Sequence, residues 1–204
     1  MEPFSLRYLK NTLQTIQYAR PRMELSLSGY QKAGVLVPLV SGESGPELLF
    51  TKRTDLVETH KGQISFPGGM VDQGDRDIAS TALRELKEEL GIPESMVEVI
   101  GILDDLATPT GFVITPVVGM LTVLPEMRPN TEEVEESFLV PISFFADHTH
   151  GRREFRWLHG KKHEVWFYDF RGRTIWGATA MIVRSLLDRT GLLPVDTSDN
   201  PTVR

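Results

Sequence analysis

The chain has 204 residues, with 28 acidic against 22 basic side chains, a formal charge of −6, 40% hydrophobic residues and no cysteine. This describes one globular domain with short additions and excludes a disordered tail, a collagen-like repeat and a coiled coil. The missing cysteines remove thiol catalysis, disulfide scaffolds and cysteine zinc sites. The acidic balance argues against a nucleic-acid binder. The longest apolar runs, such as GVLVPLV, are far short of the roughly 18 residues that span a bilayer, so no membrane partner is expected. No basic leader followed by an apolar block is visible, and a reducing, cytoplasmic location is the expectation.

Residues 4–20 place Leu6, Leu9, Leu13 and Ile16 at helical spacing, predicting an amphipathic helix that packs either in cis or across a homodimer. AGVLVPLV over 33–40 reads as a strand in which Pro38 marks an edge or an irregularity. A turn at Gly42–Gly45 and the following ELLFTKR make a hairpin. GQISFPGG reads as a short strand closing on a Pro-Gly-Gly turn. Residues 77–90 form the clearest helix, with Ala79, Ala82, Leu83, Leu86 and Leu90 in one apolar stripe. Asp75 or Asp77 can cap its start, and Gly91 followed by Pro93 ends it.

VEVIGILDDL and FVITPVVGMLTVL are strand-like, and PNTEEVEES is an acidic loop or helix start. FLVPISFF, REFRWL, HEVWFYDF and RTIWG continue as short strands and connections, and ATAMIVRSLLDRTG is a second amphipathic helix. The predicted architecture is α/β: a mixed β-sheet with helices on both faces. Residues 1–30 form an N-terminal helical extension, and 194–204 form a polar, loose tail.

The informative tract is Arg84-Glu85-Leu86-Lys87-Glu88-Glu89-Leu90-Gly91-Ile92. At helical spacing Glu85, Glu88 and Glu89 share one arc bordering the apolar stripe. Neighbouring carboxylates repel, and more so when partly buried. A divalent cation with a preference for hard oxygen, magnesium or manganese, removes that repulsion. Taken alone, the run is most often a solvated acidic face. Upstream, Phe66-Pro67-Gly68-Gly69 is a place where backbone can approach a ligand closely.

GGMVDQGDRDIASTALRELKEELGI resembles the Nudix box, a glycine, five residues, a glutamate, seven residues, then REUxEExGU with U aliphatic. From Arg84 to Ile92 the match is complete. Two departures lie upstream: Asp75 stands in place of the glutamate, and eight residues rather than seven separate it from Arg84. LLFTKRTDLVETHKGQISFPGG is similar to the additional signature of the coenzyme A pyrophosphatase branch, LLTxRSxxxRxxxGxxxFPGG. Thr51, Arg53, Gly62 and Phe66 to Gly69 match, Thr54 replaces serine, and Glu58 reverses the charge of the second arginine. Glu132-Glu133-Val134, Phe138 and Pro141, with HEVWFYDF…IWGATA, extend the resemblance to about Leu193.

The resemblance implies a Nudix-type α/β/α sandwich over 31–193. It implies divalent-metal-dependent hydrolysis of a pyrophosphate bond in coenzyme A or its thioesters, giving 3′,5′-ADP and a phosphopantetheine. A nucleotide sugar or ADP-ribose is the alternative substrate, and a non-catalytic binding module the alternative of another class. The implied metal ligands are Glu85, Glu89, Glu88 and the backbone carbonyl of Gly69, holding Mg2+ or Mn2+, with Arg84 orienting the glutamates. Glu133 is the candidate general base, Arg53 a phosphate clamp and His60 a substrate contact. Trp157, Trp166, Trp176 and Phe112 either stack a base or pack the core, and Met120, Met127 and Met181 read as packing.

Overall fold

In the computed structural model, which describes residues 4–56, 61–158 and 160–194, helix α1 (Leu6–Ala19) opens the chain. The Ser5 hydroxyl caps it by accepting the Tyr8 amide. Leu9 and Leu13 are buried, and the Tyr8 hydroxyl donates to the Thr190 carbonyl at 3.0 Å. The helix therefore packs in cis.

Strands β1 (Gln31–Gly42) and β2 (Gly45–Arg53) form the expected hairpin. They pair only near its turn, through Leu39–Gly42 and Gly45–Leu48. Beyond that point they splay, and the next segment fills the gap. Its β3 (Ile64–Ser65) pairs with β2, and its β4 (Gly68–Met70) pairs with Ala33–Val35 of β1. Gly68-Gly69 is thus extended strand rather than the turn read from sequence. Pro38 is corrected as well: β1 is central, paired in parallel with β7 (Phe112–Leu121) from Gln31 to Val40. Pro38 is tolerated because it falls between the stretches that bond β4 and β2.

Strands β5 (Glu98–Ile102) and β6 (Leu106–Ala107) join β7, and β8 (Val134–Pro141) joins β2, completing an eight-stranded mixed sheet. Residues 142–146, expected to continue as strand, form a short helix, α3 (Ile142–Ala146). The apolar run turns there because Ile142 and Phe145 both reach the core, a helical rather than an alternating spacing. Strands β9 (Gly151–Leu158), β10 (Lys161–Phe170) and β11 (Arg173–Trp176) form a separate antiparallel sheet, and α4 (Gly177–Thr190) follows.

Alternation along the strands builds two cores. Val35, Val37, Leu39, Leu48 and Phe50 pack with Leu9 and Leu13 of α1 and Leu186 and Leu187 of α4. Leu36, Val40 and Leu49 point the other way, onto Ala82, Leu86 and Leu90 of α2 (Ile78–Leu90). The result is a mixed α/β fold with helices on both faces of the sheet. No helix among the described residues is long and apolar enough to cross a membrane.

Candidate active site

Helix α2 carries the site. Asp77 caps it by accepting the Ser80 amide at 2.8 Å, while Ser80 Oγ accepts the Asp77 amide at 3.0 Å. That frees Asp75 for another task. Its carboxylate takes Arg84 Nε at 3.0 Å and the Thr81 hydroxyl at 2.8 Å. The neighbouring guanidinium holds the Asp75 carboxyl well below the usual carboxylate range. The shorter side chain and the longer loop thus still bring a carboxylate to the arginine. Arg84 also binds Glu85 Oε1 at 2.8 Å, Glu88 Oε2 at 2.9 Å and the Met70 carbonyl at 3.0 Å.

The three glutamates differ sharply in exposure. The Glu88 side chain is 55% exposed and Glu85 14%, while Glu89 is buried at 3%. Burial pushes the Glu89 carboxyl up to about 7, and the Gly68 amide and Arg53 charge offset only part of that. Burial likewise raises Glu85, against the pull of Arg84. Gly68 N donates to Glu89 Oε1 at 3.3 Å, and the Thr51 hydroxyl lies 3.5 Å from Glu89 Oε2. Both partners come from the splay between β1 and β2.

At Gly68 glycine is required for space, while at Gly69 a side chain would displace Glu85. A Cβ on Gly69 would sit 2.6 Å from Glu85 Cδ, and one on Gly68 would sit 2.6 Å from Val35 Cγ2. Leu36 N donates to Pro67 O and Val71 N to Lys32 O. That ladder phase commits the Gly69 carbonyl to Gly34 and turns Gly68's polar groups away from β1. The Gly69 carbonyl, the metal contact expected from sequence, thus accepts from Gly34 within the sheet and keeps its second lone pair.

The loop before β8 approaches from the other side. The Asn130 amide donates to Glu89 O at 2.9 Å, and its side chain donates to Glu133 Oε1 at 3.2 Å. Glu133 is near enough to raise both Glu85 and Glu89. Arg53 faces the same cluster, and its buried Nε has no hydrogen-bond partner among the described residues. The structure therefore gathers Glu85, Glu89, Glu133, Arg53 and the Gly68–Gly69 backbone, while Glu88 lies towards solvent on Arg84. Thr51, Thr81 and Asn130 contribute contacts that no spacing rule marks. His60 and Glu58 lie outside the described residues.

The donors suit a hard divalent cation: two carboxylates shielded from water, raised in pKa, beside an extended glycine backbone. Among the described residues no three acidic or imidazole groups converge at ligand spacing, so backbone oxygen and water would complete the set. The aromatic candidates divide. Trp166 is buried, Phe112 is half-buried, and Trp157 is 73% exposed on the second sheet. Met120, Met127 and Met181 pack against the two cores.

The family model described as NUDIX domain matches residues 31–167. The chain is similar to a protein named uncharacterized Nudix hydrolase NudL from Enterobacter sp. (strain 638), 37% identical over 186 residues, 91% of this chain and 96% of that one. A protein of the same name from Escherichia coli O1:K1 / APEC is 36% identical over 188 residues, with the same coverage. A solved NUDIX hydrolase from Alicyclobacillus acidocaldarius superposes with a TM-score of 0.53 at 16% identity, covering 83% of this chain and 99% of that one. A MutT/nudix family protein from Enterococcus faecalis gives 0.51 at 14%, covering 92% and 74%. At these identities the two structures speak to fold alone.

Proposed function

This chain belongs to the Nudix family, and from that premise we propose that it is a divalent-metal-dependent hydrolase splitting the pyrophosphate of coenzyme A or its thioesters. The observation that carries the hydrolase reading is Glu89: a carboxylate 3% exposed, pushed up to about 7, with no cationic side chain bonded to it among the described residues. A fold tolerates such a group where a cation completes it. The coenzyme A reading is supported by Thr51, Arg53, Gly62 and the Phe66–Gly69 segment, which match that branch's signature.

Glu85, Glu89 and a glycine carbonyl would hold Mg2+ or Mn2+, with Glu88 sharing through a bound water. When bound, the ion neutralises phosphate oxygens and lowers the pKa of the attacking water. Arg84 orients Glu85 and Glu88 by its two Nη1 contacts, and Asp75 fixes Arg84 in turn. Glu133, steadied by Asn130, takes the proton of the water that adds to phosphorus. Arg53 offers its unpartnered Nε to a phosphate oxygen. The bridging P–O bond breaks, and 3′,5′-ADP and 4′-phosphopantetheine leave.

The test is a panel of coenzyme A, its dephospho form and ADP-ribose, with Mg2+ and then Mn2+, and products identified by mass. Release of 3′,5′-ADP from coenzyme A is expected. Cleavage of ADP-ribose alone would remove the coenzyme A reading, and no cleavage of any member would remove the hydrolase reading. Glu89→Gln is expected to lose turnover by several orders of magnitude while keeping its fold; full activity would sink the assigned role.

A further inference from the structure

We propose that the cleft between β3 and β11 binds a phosphomonoester dianion carried on a flat base. It is an open cleft of about 470 Å³, room enough for a nucleotide-sized group. Its walls include Lys52, Glu136, Arg171, Arg173 and Trp176. Two of the cations are already matched. Lys52 Nζ meets Glu135 Oε1 at 2.7 Å, and Arg173 grips both oxygens of Glu136 at 2.9 Å. These pairs pin the walls to β8. Arg171 has no carboxylate partner among the described residues, and its guanidinium lies 5.1 Å from the Phe170 ring. A chain of net charge −6 thus keeps an uncompensated cation at the cleft.

The backbone under that cation is unusual. Arg171 and Gly172 are the two-residue link between β10 and β11, whose Phe170 and Arg173 pair directly. Their φ angles are 49° and 80°, and Arg171 is the one non-glycine residue at positive φ among the described residues. Such links ordinarily take Asn-Gly or Asp-Gly, whose short side chains tolerate the left-handed region. Arginine gains nothing locally there, but it projects a charge at the cleft. Trp176 supplies the flat surface: 36% exposed, it is braced against the Phe167 ring at 6.0 Å with planes 7° apart. Arg171 and Trp176 line one cleft, and the Arg156 guanidinium lies 5.8 Å from the Trp176 ring centroid; an aromatic plane and a guanidinium without a carboxylate partner among the described residues can recognise a base and an anion joined together.

Lys52 and Arg53 are successive residues of β2; Lys52 lines the cleft, and Arg53 faces the carboxylates. The dianion is therefore either the substrate's own, the 3′-phosphate in coenzyme A, or that of a separate nucleotide. Only the first source rests on the function proposed above.

The experiment uses full-length protein and the variants Arg171→Gly and Arg171→Lys. Glycine accepts the positive φ, so the melting temperature of Arg171→Gly is expected to hold or rise. Calorimetric titration in the absence of divalent ions is made with 3′,5′-ADP and 5′-AMP. Arg171→Gly is expected to weaken 3′,5′-ADP at least about tenfold, as for one charge-assisted hydrogen bond, and to narrow its advantage over 5′-AMP. Arg171→Lys should recover part of the affinity. Unchanged affinity in the glycine variant, or equal loss in both variants, overturns the proposal. Inhibition of coenzyme A hydrolysis by 3′,5′-ADP then assigns the source: competitive inhibition gives the group to the substrate, non-competitive inhibition to an effector. Should coenzyme A not be hydrolysed, the reading of the reaction fails while the titration still decides the cleft.

Discussion

Replacing Glu89 by glutamine keeps the side chain's shape and removes its charge. The folded carboxyl keeps its proton up to about pH 7, whereas in the unfolded chain it titrates near its ordinary 4.5. Between those values unfolding releases a proton, so rising pH favours the unfolded state. Metal-free protein should therefore lose stability from about pH 4.5 to 7 and then level off. At about 1.4 kcal/mol per pH unit the loss is on the order of 3 kcal/mol. Glutamine can still accept the Gly68 amide, so Glu89→Gln escapes the loss. In EDTA at pH 8 the variant is expected to exceed wild type by up to about 3 kcal/mol, roughly 6–12 °C in melting temperature for a chain of this size. At pH 4.5 the two should coincide. Saturating Mg2+ or Mn2+ should stabilise wild type and not the variant, reversing the order at pH 8. Urea denaturation at both pH values, with EDTA and with metal, measures all four comparisons. Parallel pH slopes for wild type and variant in EDTA would refute the assignment of the buried charge to Glu89.

Arg84→Ala leaves Asp75 and Glu85, whose side chains are 5% and 14% exposed, without their cation; a loss of about 3 kcal/mol in urea denaturation is expected, and less than 1 kcal/mol would contradict the bonding described. Gly69→Ala drives a Cβ to 2.6 Å from Glu85 Cδ; calorimetry should show metal affinity down about tenfold or more, with little change in melting temperature because Glu85 can turn aside. Asp105→Asn weakens three tethers, to Arg22 Nη1 and Leu25 N at 2.8 Å and the Thr115 hydroxyl at 2.7 Å. The chain between α1 and β1 should then be cut faster in limited proteolysis; an unchanged cleavage rate would show that Asp105 does not hold it.

Much of this was legible because periodicity reports burial. The α2 stripe, a cap at Asp75 or Asp77 and the Gly91 stop predicted a helix that the structure places at Ile78–Leu90 with Asp77 as its cap, and of Leu6, Leu9, Leu13 and Ile16 on α1 the middle two are buried and the outer two half-buried. What failed to read was context. Phe66-Pro67-Gly68-Gly69 carries the composition of a turn, yet it is drawn out straight because two splayed strands each need a partner. Pro38 looks like an edge residue, yet it sits in a central strand at the point where partners change. The strands of the second sheet read as strands, but nothing in their spacing showed that they leave the main sheet and form one of their own. Within the site, the order of the glutamates along the helix gave their shared arc but not the gradient from exposed Glu88 to buried Glu89. Thr51 and Asn130 reach Glu89 and Glu133 from distant stretches, and one-dimensional spacing carries no trace of that.

The gradient has a cause outside the helix. Leu86 and Leu90 are fixed in the core against Leu36, Leu49 and Val117, which sets where Glu89 must lie. Were β1 and β2 paired to their ends, no backbone would cover that spot. Because they diverge, the Pro67–Gly69 stretch enters between them, its Pro67 carbonyl bound by Leu36 and its Gly68 pressed so close to Val35 that no Cβ fits. That entry takes Glu89 out of water and supplies a single amide in return. Glu85, one turn earlier, meets the open end of the same stretch and retains partial exposure; Glu88, on the outer flank, meets Arg84. The helix spaces the three acids, while the splay of a hairpin on another part of the chain decides how strongly each resists ionising. A carboxylate made costly in this way is the one whose affinity for an incoming cation gains most, since binding relieves a desolvation already imposed by the fold.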